Sequence, residues 1–165
     1  MAPDAGVSAW LASAHPSPLQ AQREWSSVAR LALLPLGKRF DAVRIPEAVV
    51  HAVTGSGEAA IVDSRLAACL NGGPVVRDPC CCRYYALVPP GTADKWKSPA
   101  ADCLGQGTYL GVPRTDHTEL DETWNSYWSV PMARAGALCR ETDVLRLVTA
   151  GLCPTGEEST GEESS

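Results

Sequence analysis

Apolar positions along the chain come in short groups divided by proline, glycine and small polar residues, and their spacing switches between helical and extended periods. Ser17-Pro18 reads as a helix start, with Ser as N-cap and Pro in the first helical position, and Leu19, Trp25 and Val28 follow at roughly helical steps. Leu31, Leu33 and Leu34 run into Pro35, Gly37-Lys38-Arg39 reads as a turn, and Phe40, Val43 and Ile45 give a second extended run. At this spacing a hairpin is the natural connection. Pro46 opens a helix carrying Val49, Val50 and Val53, which Gly55-Ser56-Gly57 stops. Glu58 to Leu70 repeats apolar residues every three or four positions (Ile61, Val62, Leu66, Cys69, Leu70) and meets a stop at Asn71-Gly72-Gly73.

The second half is richer in strands. Pro74 to Arg77 and Tyr84 to Val88 flank Asp78-Pro79 and predict a hairpin. Gly107 to Val112 and Tyr127 to Val130 predict two more strands, with a polar loop from Arg114 to Ser126 between them. A last helix over Glu141 to Ala150 places Val144, Leu145, Leu147 and Val148 on a broad apolar face. Adjacent strands with helices packed on them define an α+β class: one domain over residues 18–153, antiparallel strand pairs and about four helices. Residues 1–17 carry mostly small side chains around Trp10 and Leu11 and read as a loose segment. Residues 154–165 repeat Thr-Gly-Glu-Glu-Ser, have no apolar side chain to bury, and read as a disordered acidic tail.

Composition refines this picture in three places. The 165 residues suit one domain, and 45% hydrophobic with 20% charged residues is ordinary for a folded chain. The net charge of −5 is largely a property of the tail, because without its four glutamates the chain holds 14 basic and 15 acidic residues. No apolar run approaches the roughly 18 residues that span a bilayer. The start of the chain has neither a basic nor a continuous apolar region of the kind a secretory signal needs. The expectation is therefore a cytoplasmic protein without a membrane partner. Seven cysteines, three of them consecutive at Cys80-Cys81-Cys82, form an odd count and fit reduced thiols better than a disulfide framework.

Candidate chemistry is sparse. Cys80 and Cys82 stand one residue apart, closer than the spacing of a zinc knuckle, so the triplet reads as a hairpin turn. Asp116-His117 sits in a polar loop without a neighbouring nucleophile, and His51 reads as a structural histidine beside the valines of its helix. Gly55-Ser56-Gly57 lacks the Gly-Lys-Ser/Thr of a phosphate loop, and Gly105-Gln106-Gly107 opens a strand rather than a helix. One basic cluster stands out: Arg23, Arg30, Lys38, Arg39 and Arg44 against Glu24 and Asp41. Lys38, Arg39 and Arg44 are the candidate nucleic-acid contacts, because basic side chains at a hairpin tip can reach phosphate. Aromatics at Tyr84, Tyr85, Trp96, Tyr109, Trp124, Tyr127 and Trp128 would alternate between faces of their strands, and an exposed row could stack bases.

Two stretches carry a resemblance. Arg83-Tyr-Tyr-Ala-Leu-Val-Pro-Pro-Gly-Thr-Ala-Asp-Lys-Trp96 and Cys103-Leu-Gly-Gln-Gly-Thr-Tyr-Leu-Gly-Val-Pro113 resemble segments of small actinomycete proteins, some grouped with the N-terminal domain of bifunctional DNA primase/polymerases. Trp10, Leu34-Pro-Leu-Gly37 followed by Phe40-Asp-Ala-Val43, and Tyr127-Trp-Ser-Val-Pro131 fit the same outline. That resemblance implies divalent-metal nucleotidyl transfer through an Asp-x-Asp-like pair on a strand. This chain has no such pair on a predicted strand: Asp41 is single, while Asp116, Glu119, Asp121 and Glu122 lie in the loop. No catalytic residue, metal ligand or cofactor is carried over. The chain is also similar to replication activators of actinomycete integrative plasmids. What this implies is a non-enzymatic accessory or regulatory protein of plasmid or mobile-element replication, acting through DNA or a replication protein. Two alternatives are a transferase whose acids, Asp41 with Asp102 or Asp116, converge only in the fold, and a module that binds protein through its aromatic strands.

Overall fold

The middle of the chain needs cover on two sides, because its strands are apolar at consecutive positions rather than at alternate ones. In β4 (Arg83–Val88) and β2 (Asp41–Pro46) side chains of both parities are buried. A computed structural model of the chain, which describes residues 3–152, shows how that cover is supplied. A five-stranded sheet runs in the order β5 (Asp102–Leu104), β2, β4, β3 (Val75–Asp78), β7 (Tyr127–Val130), with every neighbouring pair antiparallel. Val43, Ile45, Tyr84, Ala86, Val88, Val75 and Val130 face one way. There they meet α3 (Glu47–Thr54), α4 (Ala59–Cys69) and α6 (Glu141–Leu152). Ala42, Leu87, Val76 and Trp128 face the other way, against α1 (Pro3–Ala12), α2 (Pro18–Trp25) and a ribbon of β1 (Leu31–Pro35) with β6 (Tyr109–Pro113). The fold is α+β, in a single domain.

Local chemistry places the helices where the sequence puts them. Pro18 stands in the first turn of α2. Gly55, at φ +71°, closes α3 in the left-handed conformation that glycine adopts without strain. Glu141 and Asp143 occupy the first turn of α6, where the helix dipole favours carboxylates. Within that helix Val144, Leu147 and Val148 are buried as the apolar face requires, whereas Leu145 is turned outward. The β3–β4 hairpin forms as expected, with Val75 opposite Ala86 and Asp78 opposite Arg83.

Four expectations are corrected. β1 and β2 do not form a hairpin: β1 pairs with β6, from Leu31 opposite Pro113 to Pro35 opposite Tyr109. Residues 36–40 are instead a crossing between layers. Leu36 extends the ribbon through its N–H to the Thr108 carbonyl (2.9 Å), and Gly37 then lets two loops touch. A Cβ on Gly37 would stand 2.7 Å from the Gln106 Cα. The N-terminal segment is not loose, since α1 buries Val7, Leu11 and Ala12 under the sheet and Trp10 stacks on Phe40 at 6.0 Å between centroids. A strand the sequence did not predict, β5, adds three residues to the edge of β2. With the short α5 (Thr92–Lys95), the helices among the described residues number six rather than four. The acidic tail, residues 154–165, lies outside the described residues.

Two indoles tie the ribbon down. Trp25 Nε1 donates to the Val112 carbonyl (2.9 Å) and Trp128 Nε1 to the Pro113 carbonyl (3.0 Å), so α2 and β7 both hold the same end of β6. Among the described residues no helix is long and apolar enough to cross a membrane.

The buried N-terminal helix has a measurable consequence. Leu11 is fully buried, so Leu11→Ala removes apolar contact and leaves a cavity, lowering the unfolding free energy by about 2–5 kcal/mol. Urea denaturation reads this directly, and a change within about 0.5 kcal/mol, as for a surface site, would contradict the packing described.

Candidate functional site

The basic residues singled out by sequence do not share one surface. Lys38 and Arg39 are exposed on the crossing between β1 and β2. Arg39 Nε donates to Ser13 Oγ (3.0 Å), and among the described residues neither side chain has a carboxylate partner. Arg44 lies about 10 Å further along β2 than Asp41. It is half-buried and paired with Asp102 of β5 (2.9 Å). It lines a different cleft, so the structure separates it from Lys38 and Arg39.

The acids near Lys38 and Arg39 are engaged elsewhere. Glu24 accepts the Leu33 N–H (2.8 Å), and that hydrogen bond holds its carboxyl below the usual range. Asp41, read from sequence as a surface countercharge, is 1% exposed. Its Oδ2 accepts the N–H groups of Gly91 (3.0 Å) and Ala93 (2.9 Å), fixing the loop ahead of α5, while its Oδ1 is buried without a partner. Arg23, Arg30, Lys38 and Arg39 therefore flank the ribbon as exposed charges.

Between Lys38 and the ribbon lies a cleft of about 520 Å³, walled by Pro16, Pro35, Leu36, Gln106 and Tyr109. Tyr109 is 59% exposed and Leu33, on the same outer face, 54% exposed. Strand parity explains both: Ala32, Leu34, Leu110 and Val112 point to the core, so Leu33 and Tyr109 point out. The sequence named Tyr109 among the aromatics that could stack bases but not which of them would be exposed, because alternation leaves the sense of a strand open until one face is known to be covered. The cleft shares Gly37, Gln106 and Gly107 with a neighbouring one of about 450 Å³ around Asp41.

The other sequence candidates are placed as follows. Asp116 is held by Arg114 through two short contacts (2.7 and 2.8 Å), and His117 Nε2 is 3.0 Å from Asp121 Oδ2 within the same loop. Asp102 faces Arg44, Asp116 faces Arg114, and Asp41 binds backbone, so each of the three acids has its own partners. Among the described residues no group of three or more His, Cys, Asp or Glu side chains is placed to share a metal ion. Cys80, Cys81 and Cys82 form the turn of the β3–β4 hairpin, as their sequence suggested. Arg65 of α4 donates to the Thr54 carbonyl, tying α4 to the last turn of α3.

A polar layer that the sequence did not reveal joins α3 to the sheet. Arg77 of β3, 5% exposed, donates to Tyr127 Oη and to Glu47 Oε2 (both 3.1 Å), and its guanidinium lies 5.4 Å from the Tyr84 ring centroid. Burial opposes its charge, but the Tyr127 hydrogen bond and the facing Tyr84 and Glu47 outweigh it, and the Arg77 pKa stays above its ordinary value. His51 Nε2 is 3.1 Å from Tyr84 Oη, the satisfied structural histidine its helix position implied. Ser129 Oγ donates to Asp63, whose carboxyl burial pushes above its usual range. Nothing in the sequence marked this layer, since Arg77 read only as the end of a hairpin strand and Tyr84 and Tyr127 as aromatics alternating between strand faces.

Set against family models, curated proteins and solved structures, the chain finds no match in any of the three. The likeness to primase/polymerase proteins rests on the quoted stretches alone.

The polar layer makes stability depend on pH with a definite sign. Burial lowers the His51 pKa from 6.5, so below about pH 6.5 the unfolded chain binds a proton that the folded one resists. Stability present above 6.5 is lost as pH falls. Asp63 acts oppositely and nearer pH 4, because its raised pKa favours the folded state in acid. Tm followed from pH 7.5 to 5.5 by circular dichroism should fall in the wild type, and more shallowly in His51→Gln; parallel curves would rule out the assignment.

Proposed function

We propose that the chain is a non-enzymatic accessory protein of DNA replication on a plasmid or integrative element, and that it contacts single-stranded DNA along the β1–β6 ribbon. The observation that carries this reading is the cleft lined by an exposed tyrosine, Tyr109, together with Lys38, whose ammonium makes no ion pair among the described residues. An aromatic platform with adjacent cations suits single strands, since every base offers a face to stack while the phosphates meet positive charge. Arg39, on the same turn, and Arg30, ahead of β1, extend the positive track along the ribbon. The link to replication is supported by the resemblance of the Arg83–Trp96 and Cys103–Pro113 stretches, the second of which builds β6 and the Gly105–Thr108 loop of this same cleft.

Roles divide cleanly among the side chains. Lys38 and Arg39 supply affinity without reading sequence, and Tyr109 supplies the preference for unpaired bases. Arg44, ion-paired with Asp102 at the other end of β2, stands outside the contact.

Fluorescence anisotropy of labelled single-stranded and duplex DNA, titrated at several salt concentrations, tests the proposal. Lys38→Ala and Arg39→Ala should each reduce the salt slope by about one. Tyr109→Ala should weaken single-strand binding by about 1–3 kcal/mol with the slope unchanged. Arg44→Ala should leave both as they are. Absence of binding at low salt would refute DNA contact and favour the protein-binding alternative.

A further inference from the structure

The turn of the β3–β4 hairpin and the open edge of β2 enclose a second cleft, of about 430 Å³, at the far end of β2 from Lys38. Its origin lies in strand lengths. β5 pairs only with Ala42–Arg44, so the edge of β2 beyond Arg44 is uncovered, and Pro99–Ala101 arches over the gap. Two guanidiniums, those of Arg44 and Arg83, and two thiols, those of Cys81 and Cys82, line the space. Asp102 is the one acid in the wall, and it uses a single Nη2 contact of Arg44, leaving other donors of that fork free.

The three thiols of the turn differ. Cys80 Sγ donates to the Trp124 carbonyl (3.3 Å). The Cys81 backbone N–H donates to Asp78 Oδ1 (3.3 Å), and the carboxylate held beside it raises the Cys81 thiol pKa. Cys82 has only a long contact with the Pro79 carbonyl (3.9 Å) and stands next in sequence to Arg83. Its backbone is held at φ +58°, in the left-handed region that side chains rarely occupy, while its carbonyl accepts the Glu47 N–H (3.0 Å). The turn keeps a thiol where glycine would fit more easily.

We propose that this cleft is a site of S-thiolation, at which Cys82 exchanges with a small disulfide bearing carboxylates. Arg44 and Arg83 bind the carboxylates and bring the disulfide to Cys82. The Cys82 thiolate attacks one sulfur, the bond between the two sulfurs of the small molecule breaks, and a mixed disulfide forms on Cys82. The other half leaves as a thiolate and takes up the proton that Cys82 gave to solvent. The oxidising equivalent comes from the small disulfide, so no further oxidant enters.

Oxidised glutathione and cystamine are the probes, the first anionic and the second cationic. The full chain is treated with each, and adducts on Cys82 and on exposed Cys69 of α4 are followed by peptide mass spectrometry. The ratio of the two rates within one molecule cancels the intrinsic reactivity of each reagent. The ratio should be about fivefold higher with oxidised glutathione than with cystamine. It should drop to the cystamine value in Arg83→Gln, in Arg44→Gln, and in wild type at high salt, where folding is not in question. Equal ratios for the two reagents, a ratio indifferent to salt and to both substitutions, or adducts concentrated on Cys80 or Cys81 would overturn the proposal.

Discussion

A sheet that is apolar on both faces has to be covered on both faces, and most of this architecture follows from that requirement. Tyr84, Ala86 and Val88 demand one layer and Leu87 the other, within a single six-residue strand. Three helices answer the first demand. The second is met by two helices and a ribbon made from segments about 75 residues apart, Leu31–Pro35 and Tyr109–Pro113. Full burial of a side chain such as Leu34 or Leu87 contributes about 1.5–3 kcal/mol, so a strand left bare on one side would be unstable. The ribbon is therefore structural first, and its outward face is what remains available to a partner.

Local signals made much of this legible. The helix starts at Pro18 and Pro46, the stop at Gly55 and the turn at Asp78-Pro79 involve neighbours in the chain, and the corresponding elements appear where those residues put them. Pairing between distant segments was not legible. Leu31–Leu34 and Phe40–Ile45 have the pattern of hairpin partners, and only the packing of Gly37 on Gln106 shows the chain crossing between layers. Helix α1 was hidden for another reason: alanines and other small residues fill it, and few large side chains mark its buried stripe.

The candidate sites divide the same way. That Lys38 and Arg39 sit exposed on a turn was readable from their neighbours, and so was the turn formed by the cysteine triplet. Asp41 was not readable, because a lone acid beside Arg39 looks like a surface charge until the Gly91 and Ala93 amides close on it. Strand β2 consequently joins two unlike ends, a buried carboxylate beneath the loops near Lys38 and a guanidinium beside the cysteines. Each end faces its own cleft, so the two chemistries stay apart on one rigid strand.

Glu24 has an importance that its half-buried position on α2 conceals. A two-stranded ribbon leaves backbone donors free along its margin, and such a margin invites another chain to add a strand. The Glu24 carboxylate takes the Leu33 N–H, occupying the place a third strand would need. The sheet below is guarded differently, by ending in strands of only three and four residues. A helix side chain thus takes the place of the ribbon's missing neighbour at Leu33.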